Sequence, residues 1–257
     1  MLDLIVLKSL VAGLAASVAC GFGALPLLSR RMDPARHTGK GYAFAGGLMS
    51  AASVYNLILP GLTMATESID AERIVLVLAG ILLGSLFLSI ADRYLSPDRF
   101  NFKHFKQWGG KTGILIFVAM SIHSIPEGVA VGVGFASEEV YSNHLGSYIA
   151  LAIAIHNIPE GLAVAIPLRS AGARIRTCFL AAFLTSLPQP IAAVPASIMA
   201  WFFQPIMPVL MGFAAGAMIF LVVLELIPDA LEKEIPPIVA WAFTSGFCLM
   251  LLVQVVL

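Results

Sequence analysis

Eight apolar stretches fill almost the whole chain, and each is about long enough to cross a lipid bilayer. A helix crossing the hydrocarbon core needs about 20 predominantly apolar residues. The stretches at 4–28, 42–65, 73–94, 112–135, 146–168, 176–201, 206–228 and 236–257 meet that requirement. Short polar connections join them, as at Arg30 to Lys40 and Ser96 to Lys111, with no room for a separate soluble domain. The expected fold class is all-α, a polytopic membrane protein with eight transmembrane helices. Residues 1–257 are expected to form a single transmembrane domain in the lipid bilayer.

The composition excludes the common soluble classes. The chain is 59% hydrophobic and 12% charged over 257 residues, with a mean hydropathy of +0.93. Soluble domains carry about 25% charged residues. Net charge is zero and no basic run occurs, so no nucleic-acid partner is expected. Cys20, Cys178 and Cys248 each sit in an apolar stretch. That pattern suits small buried apolar residues and makes neither a disulfide framework nor a CxxC metal site. Ser17-Val-Ala-Cys20 has the look of a lipoprotein cleavage site. However, Asp3 precedes Lys8, the early basic residue, and the apolar run continues to Leu28. The segment is read as the first span.

The basic residues set an orientation. Arg30, Arg31, Arg36 and Lys40 fall in the first connection. Arg93, Arg99, Lys103, Lys106 and Lys111 fall in the third, Arg169, Arg174 and Arg176 in the fifth, and Lys233 in the seventh. The even connections hold Arg73 alone, with Glu67, Asp70, Glu72, Glu138 and Glu139. Odd connections are therefore expected in the cytoplasm and both termini outside it. The same alternation supports the number of spans.

One motif occurs twice in the apolar background. His123-Ser-Ile-Pro126-Glu127-Gly128 in span 4 recurs as His156-Asn157-Ile-Pro159-Glu160-Gly161 in span 5. Ionisable side chains in a membrane span cost several kcal/mol and mark function when they persist. Residues four apart share a helix face, so His123 projects with Glu127 and His156 with Glu160. In antiparallel neighbours, His123 should lie near the level of Glu160 and Glu127 near that of His156. All four side chains are expected to converge on one point. Pro126 and Pro159 each remove an N–H and displace a carbonyl one turn earlier, which predicts kinks lined by the carbonyls of Ile122 and Ile155. Imidazole nitrogen and carboxylate oxygen suit Zn²⁺, Fe²⁺, Mn²⁺ or Co²⁺. A His/Glu proton relay serving another solute is the alternative, and the duplication of all four residues favours metal. An intramembrane metallohydrolase is disfavoured because His-Glu-x-x-His is absent.

A second similarity links span 2 to span 7. Phe44-Ala-Gly-Gly-Leu-Met49 matches Phe213-Ala-Ala-Gly-Ala-Met218, and both runs continue to Leu59-Pro60 or Ile227-Pro228. The two spans cross in opposite directions. An inverted-topology repeat would produce this match, and so would convergent packing of small residues.

At these residues the chain resembles the ZIP family of divalent metal transporters (Zrt-, Irt-like proteins), closest to its bacterial branch with Pro-Glu-Gly in both central spans. The resemblance covers all eight spans and rests most firmly on His-x-x-Pro-Glu-Gly. It implies an importer of Zn²⁺ or a related dication, Cd²⁺ included, into the cytoplasm, with the ion as transported substrate and no resident cofactor or catalysis. It also implies a homodimer, a plasma membrane (bacterial inner membrane) location, and spans 1–3 and 6–8 as inverted repeats around the span 4/5 pair. The implied metal ligands are His123, Glu127, His156 and Glu160, joined by Met49. A second, bridged site is implied at Asn157, but Ser124 and Gln189 stand where the family's binuclear members carry stronger ligands. One well-formed site is therefore expected, with the second weak or absent. Glu225 aligns with Asn56 in the repeat. With Asp229 it is expected either to guide ion exit or simply to reach interfacial water. His37, His104 and His144 are read as loop residues.

Overall fold

The computed structural model describes residues 1–28, 34–63, 70–95, 110–141, 144–170 and 172–256. Arg30, Arg31, Glu67, Arg99, Lys103 and Lys106, which contribute to the orientation argument, and His104, expected in a loop, lie outside the described residues. Every regular element among the described residues is helical. Seven helical segments are long and apolar enough to cross a membrane: Leu2–Leu28, Thr38–Thr63, Ala71–Arg93, Leu145–Ile166, Ile175–Phe202, Gln204–Lys233 and Pro236–Gln254. These are spans 1, 2, 3, 5, 6, 7 and 8. Span 4 is the 32-residue helix Gly110–Tyr141.

Three boundaries differ from expectation. Span 4 runs to Tyr141, so Glu138 and Glu139 stand on its last turns and not in a connection. Lys8 of span 1 holds them there, its Nζ 3.2 Å from Glu138 and 2.9 Å from Glu139. The second helix begins at Pro34, which places His37 and Lys40 on a helix. Pro is favoured in the first helical turn because its missing N–H would be unpaired there anyway. The last turns of span 7 reach Lys233.

The interruptions also lie elsewhere. Spans 4 and 5 remain helical through Pro126 and Pro159. Span 6 breaks at Ser186–Leu187, between the helices Ile175–Thr185 and Pro188–Phe202. Spans 2 and 7 each widen into a π-helical turn, at Ser53–Ile58 and Val222–Leu226. A proline ring clashes with the carbonyl four residues earlier. For Pro60 and Pro228 those carbonyls belong to Asn56 and Leu224, inside the two widened turns. The first turn holds six residues and the second five. That single-residue difference explains why the two sequences drift out of register between their shared Met and Pro.

The packing follows one two-fold relation. Span 2 packs on span 8 as span 7 packs on span 3, span 1 on span 5 as span 6 on span 4, and span 2 on span 5 as span 7 on span 4. Close backbone approaches obey the same exchange. A Cβ at Gly84 would meet the carbonyl of Phe213, and one at Gly246 that of Phe44. Spans 1–3 lie five crossings from their equivalents 6–8, and span 4 lies one from span 5, so every equivalent pair runs in opposite directions. The match between spans 2 and 7 is thus part of an inverted repeat. The outward faces are apolar: Leu82 of span 3 and Trp241 of span 8 are 71% and 77% exposed, a surface suited to hydrocarbon and not to water.

Candidate metal centre

Two glycines bring the site together. A Cβ at Gly128 would meet the carbonyl of Gln189, and one at Gly161 the carbonyl of Cys20. Because neither position carries a side chain, span 6 lies directly against span 4 and span 1 against span 5. The residue before each glycine is the motif glutamate, so each carboxylate is enclosed where two helix backbones nearly touch. Glu127 and His156 are 0% exposed and Glu160 is 4% exposed.

Glu127, His156 and Glu160 each present one ligand atom, and those atoms lie within 4.8 Å of one another. His156 Nε2 stands 3.3 Å from Glu127 Oε1, which bears out the expected levelling of these two. A tetrahedral ion with bonds of about 2.0–2.2 Å spaces its ligands about 3.4 Å apart. This pair already has that spacing, and a small closure of Glu160 would complete a three-ligand set. Among the described residues no lysine or arginine pairs with either carboxylate. Glu160 Oε1 has no hydrogen-bond partner. Two buried carboxylates at this distance require a positive charge or a proton between them. One nitrogen and two oxygen donors fit a borderline first-row dication.

His123 does not join them. Its Nε2 lies 3.6 Å from Glu225 Oε1 on span 7, so three of the four motif side chains converge and the fourth turns away. The two-fold relation supplies the reason. Span 4 meets the carboxylate of Glu225 where span 5 meets the neutral amide of Asn56. An imidazole on span 4 thus has an anionic partner outside the cluster, whereas His156 finds its nearest carboxylate in Glu127.

The remaining expected residues occupy different surroundings. Met49 is fully buried in the main apolar core with residues of spans 4, 5 and 7. Ser124 Oγ donates to the carbonyls of Met120 and Thr185, at 3.1 and 3.0 Å, which commits its hydroxyl to the backbone. Asn56 is buried beside Ala152, Met250 and Gln254 at a small cavity, with its Oδ1 unpartnered. Asp229 follows Pro228 on the last helical turns of span 7.

Behind Glu127 stands a wall of neutral polar groups. Gln189 Nε2 donates to Glu127 Oε2 at 2.6 Å. Gln189 Oε1 accepts from Asn157 Nδ2 at 3.0 Å and from Ser186 Oγ at 2.9 Å. Asn157 Nδ2 also reaches the carbonyl of Ala16 and Ser186 Oγ, at 3.1 and 3.2 Å. Ser17 Oγ donates to the carbonyl of Ser186 at 2.8 Å. Nothing in the sequence marks Ser17 or Ser186 as part of the site. The sign in the sequence is only of the break in span 6, through the Pro188-Gln189-Pro190 run; the Ser186 carbonyl there accepts from the Gln189 N–H at 3.0 Å as well as from Ser17.

A cavity of about 400 Å³ opens where spans 2, 3, 4 and 7 end, lined by Gly61, Asp70, Glu72, Arg73, Tyr141 and Gln204 among others. It lies on the side that the charge bias assigns to the outside.

The family model described as ZIP Zinc transporter matches residues 106–254. A putative zinc transporter of Arabidopsis thaliana is 38% identical over 238 residues, covering 92% of this chain and 37% of that protein. The chain thus spans little more than a third of the plant relative's length. The zinc transporter GufA of Myxococcus xanthus is 33% identical over 249 residues, covering 93% of this chain and 96% of the relative. The zinc transporter ZIPB of Bordetella bronchiseptica is 33% identical over 259 residues, with 97% and 81% covered.

Proposed function

The chain belongs to the ZIP zinc transporter family, and from that premise we propose that it imports a divalent transition-metal cation into the cytoplasm. Zn²⁺ is the foremost substrate, with Fe²⁺, Mn²⁺, Co²⁺ and Cd²⁺ sharing the same ligand chemistry. The observation that carries this reading is the buried cluster of Glu127, His156 and Glu160, with ligand atoms within 4.8 Å of one another and no basic partner among the described residues. Residues 1–257 act as one transport domain.

The ion's route has three stages. It collects in the cavity lined by Asp70 and Glu72. It then sheds water at the cluster of Glu127, His156 and Glu160, and Met49 would join as a soft thioether ligand only by turning out of the apolar core that now buries it. It leaves by way of His123 and Glu225 toward Asp229. His123 is the relay in this scheme because it sits on the same span as Glu127 while facing Glu225. One ion is held at a time: Ser124 is spent on backbone carbonyls, and Gln189 and Asn157 bring no charge. Both termini lie outside the cytoplasm, in a plasma membrane, and the protein works as a homodimer. The orientation rests on the bias of basic residues toward odd connections, and the dimer and location on the family resemblance. A proton relay for another solute draws no support from the family.

Uptake of radioactive zinc into proteoliposomes tests the reading. The wild-type protein should show saturable uptake, and Glu127→Ala/Glu160→Ala should abolish it while remaining folded in detergent. Unchanged uptake in the double variant would refute the site.

A further inference from the structure

The two-fold relation makes Glu127 and Glu160 equivalent, yet their surroundings differ in chemistry. Glu127 meets Gln189 of span 6. The position that corresponds to Gln189 is Cys20 of span 1, whose Sγ lies 4.0 Å from Thr185 Oγ1. Glu127 Oε2 therefore receives a 2.6 Å hydrogen bond, and Glu160 Oε1 receives none.

The direction of that hydrogen bond is fixed from a distance. The carbonyl of Ala16 can only accept, so the group of Asn157 facing it must be the amide nitrogen. The same nitrogen faces Gln189 at 3.0 Å, the shortest of its three contacts, and its two hydrogens are shared among the Ala16 carbonyl, Ser186 Oγ and the Gln189 oxygen turned toward it. Ser186 Oγ donates to that oxygen as well. Only Gln189 Nε2 remains to face Glu127, and it can only donate. The chain from Ala16 through Asn157 and Gln189 to Glu127 thus has one polarity, and Asn157, Gln189 and Glu127 are all 0% exposed.

Resting on the reading of the cluster as the ion's site, we infer that Gln189 is a positioning residue that makes Glu127 a one-oxygen ligand. Oε2 is capped by the carboxamide, and Oε1, already 3.3 Å from His156 Nε2, is the oxygen left for the ion. Glu160 keeps an unpartnered oxygen and is the adaptable carboxylate of the pair. The fixed ligand sets where the ion sits, and the free one closes on it and lets it go. Asn157 acts on Glu127 through Gln189, and its own Oδ1 is buried without a hydrogen-bond partner.

Gln189→Met preserves length and removes the donor. Loss of a hydrogen-bond partner behind a metal ligand typically costs about 10–100-fold in affinity. Zinc binding to detergent-solubilised protein by titration calorimetry, and uptake by proteoliposomes, should show Kd and KM raised by that factor with kcat within about twofold. Asn157→Leu should weaken binding in the same direction. The double variant should bind no worse than Gln189→Met alone, since both changes act through one hydrogen bond. Independent effects that multiply in the double variant would overturn the inference, as would an unchanged Kd in Gln189→Met. If the variants do not fold, the zinc-loaded wild-type structure decides. Zinc on Oε1 with Gln189 still on Oε2 supports the clamp, and zinc on both oxygens with Gln189 displaced refutes it. Wild-type zinc affinity in Glu127→Ala would instead refute the site itself, independently of the clamp.

Discussion

Adding a single methyl group at Gly128 should loosen the metal site without touching a ligand. A Cβ there would meet the carbonyl of Gln189 and lie 2.9 Å from Ala192 Cβ and 3.0 Å from the Gln189 carbonyl carbon. Carbon atoms settle about 3.5–4.0 Å apart, so Gly128→Ala must push span 6 away by about 0.5–1 Å. The hydrogen bond from Gln189 to Glu127 is 2.6 Å long. A retreat of that size stretches it to about 3.1–3.6 Å, at or beyond the limit for a good hydrogen bond. A hydrogen bond to a charged group contributes about 1.5–3 kcal/mol, or about 10–150-fold in affinity. Overpacking costs a further 1–3 kcal/mol or so of stability. The measurements are zinc uptake kinetics in proteoliposomes and thermal unfolding in the same detergent. KM should rise at least about tenfold and the unfolding temperature should fall. Wild-type KM together with wild-type stability would refute the claim that close approach of spans 4 and 6 holds Glu127 in place.

Other changes separate the parts of the account. His156→Ala should raise the zinc Kd by about 100-fold or more, whereas His123→Ala should change Kd by less than about threefold and lower kcat. Equal losses of affinity would mean that His123 joins the cluster when the ion binds. Lys8→Met removes a partly exposed pair of ion contacts worth about 0–1 kcal/mol. It should leave uptake unchanged and lower stability by no more than that, as measured by denaturant titration; a larger loss would show that the link from span 1 to the end of span 4 is worth more than an exposed pair. Gly246→Leu places a side chain against the Phe44 carbonyl, between spans 8 and 2, and should destabilise the protein while leaving the zinc Kd of the folded fraction unchanged.

The apolar runs carried the span count because hydrocarbon permits little else over 20 residues. The paired His-x-Ile-Pro-Glu-Gly carried the central ligands because helical spacing alone places a histidine and glutamate on one face. Local spacing could not show that His123 turns toward Glu225, since that depends on which side chain span 7 presents to span 4. The prolines misled in a similar way. Pro126 and Pro159 sit in helices that stay continuous, while Pro60 and Pro228 end the widened turns of spans 2 and 7. The consequence of each proline depends on whether neighbouring spans brace the backbone. Gln189 was legible as a departure from a carboxylate. Its role as a donor with fixed direction was not, because the direction is set at Ala16, 173 residues earlier in the chain. Lys8 was legible as a lone basic residue in an apolar run, but its partners lie across the molecule on span 4.

Anomalous diffraction at the zinc absorption edge, from crystals of the zinc-loaded protein, tests the central claim most directly. The account predicts one strong peak about 2.0–2.2 Å from Glu127 Oε1, His156 Nε2 and a Glu160 oxygen. A strong peak elsewhere with that cluster empty would contradict the assignment of the site. A second full-occupancy peak about 4 Å away would contradict transport of one ion at a time.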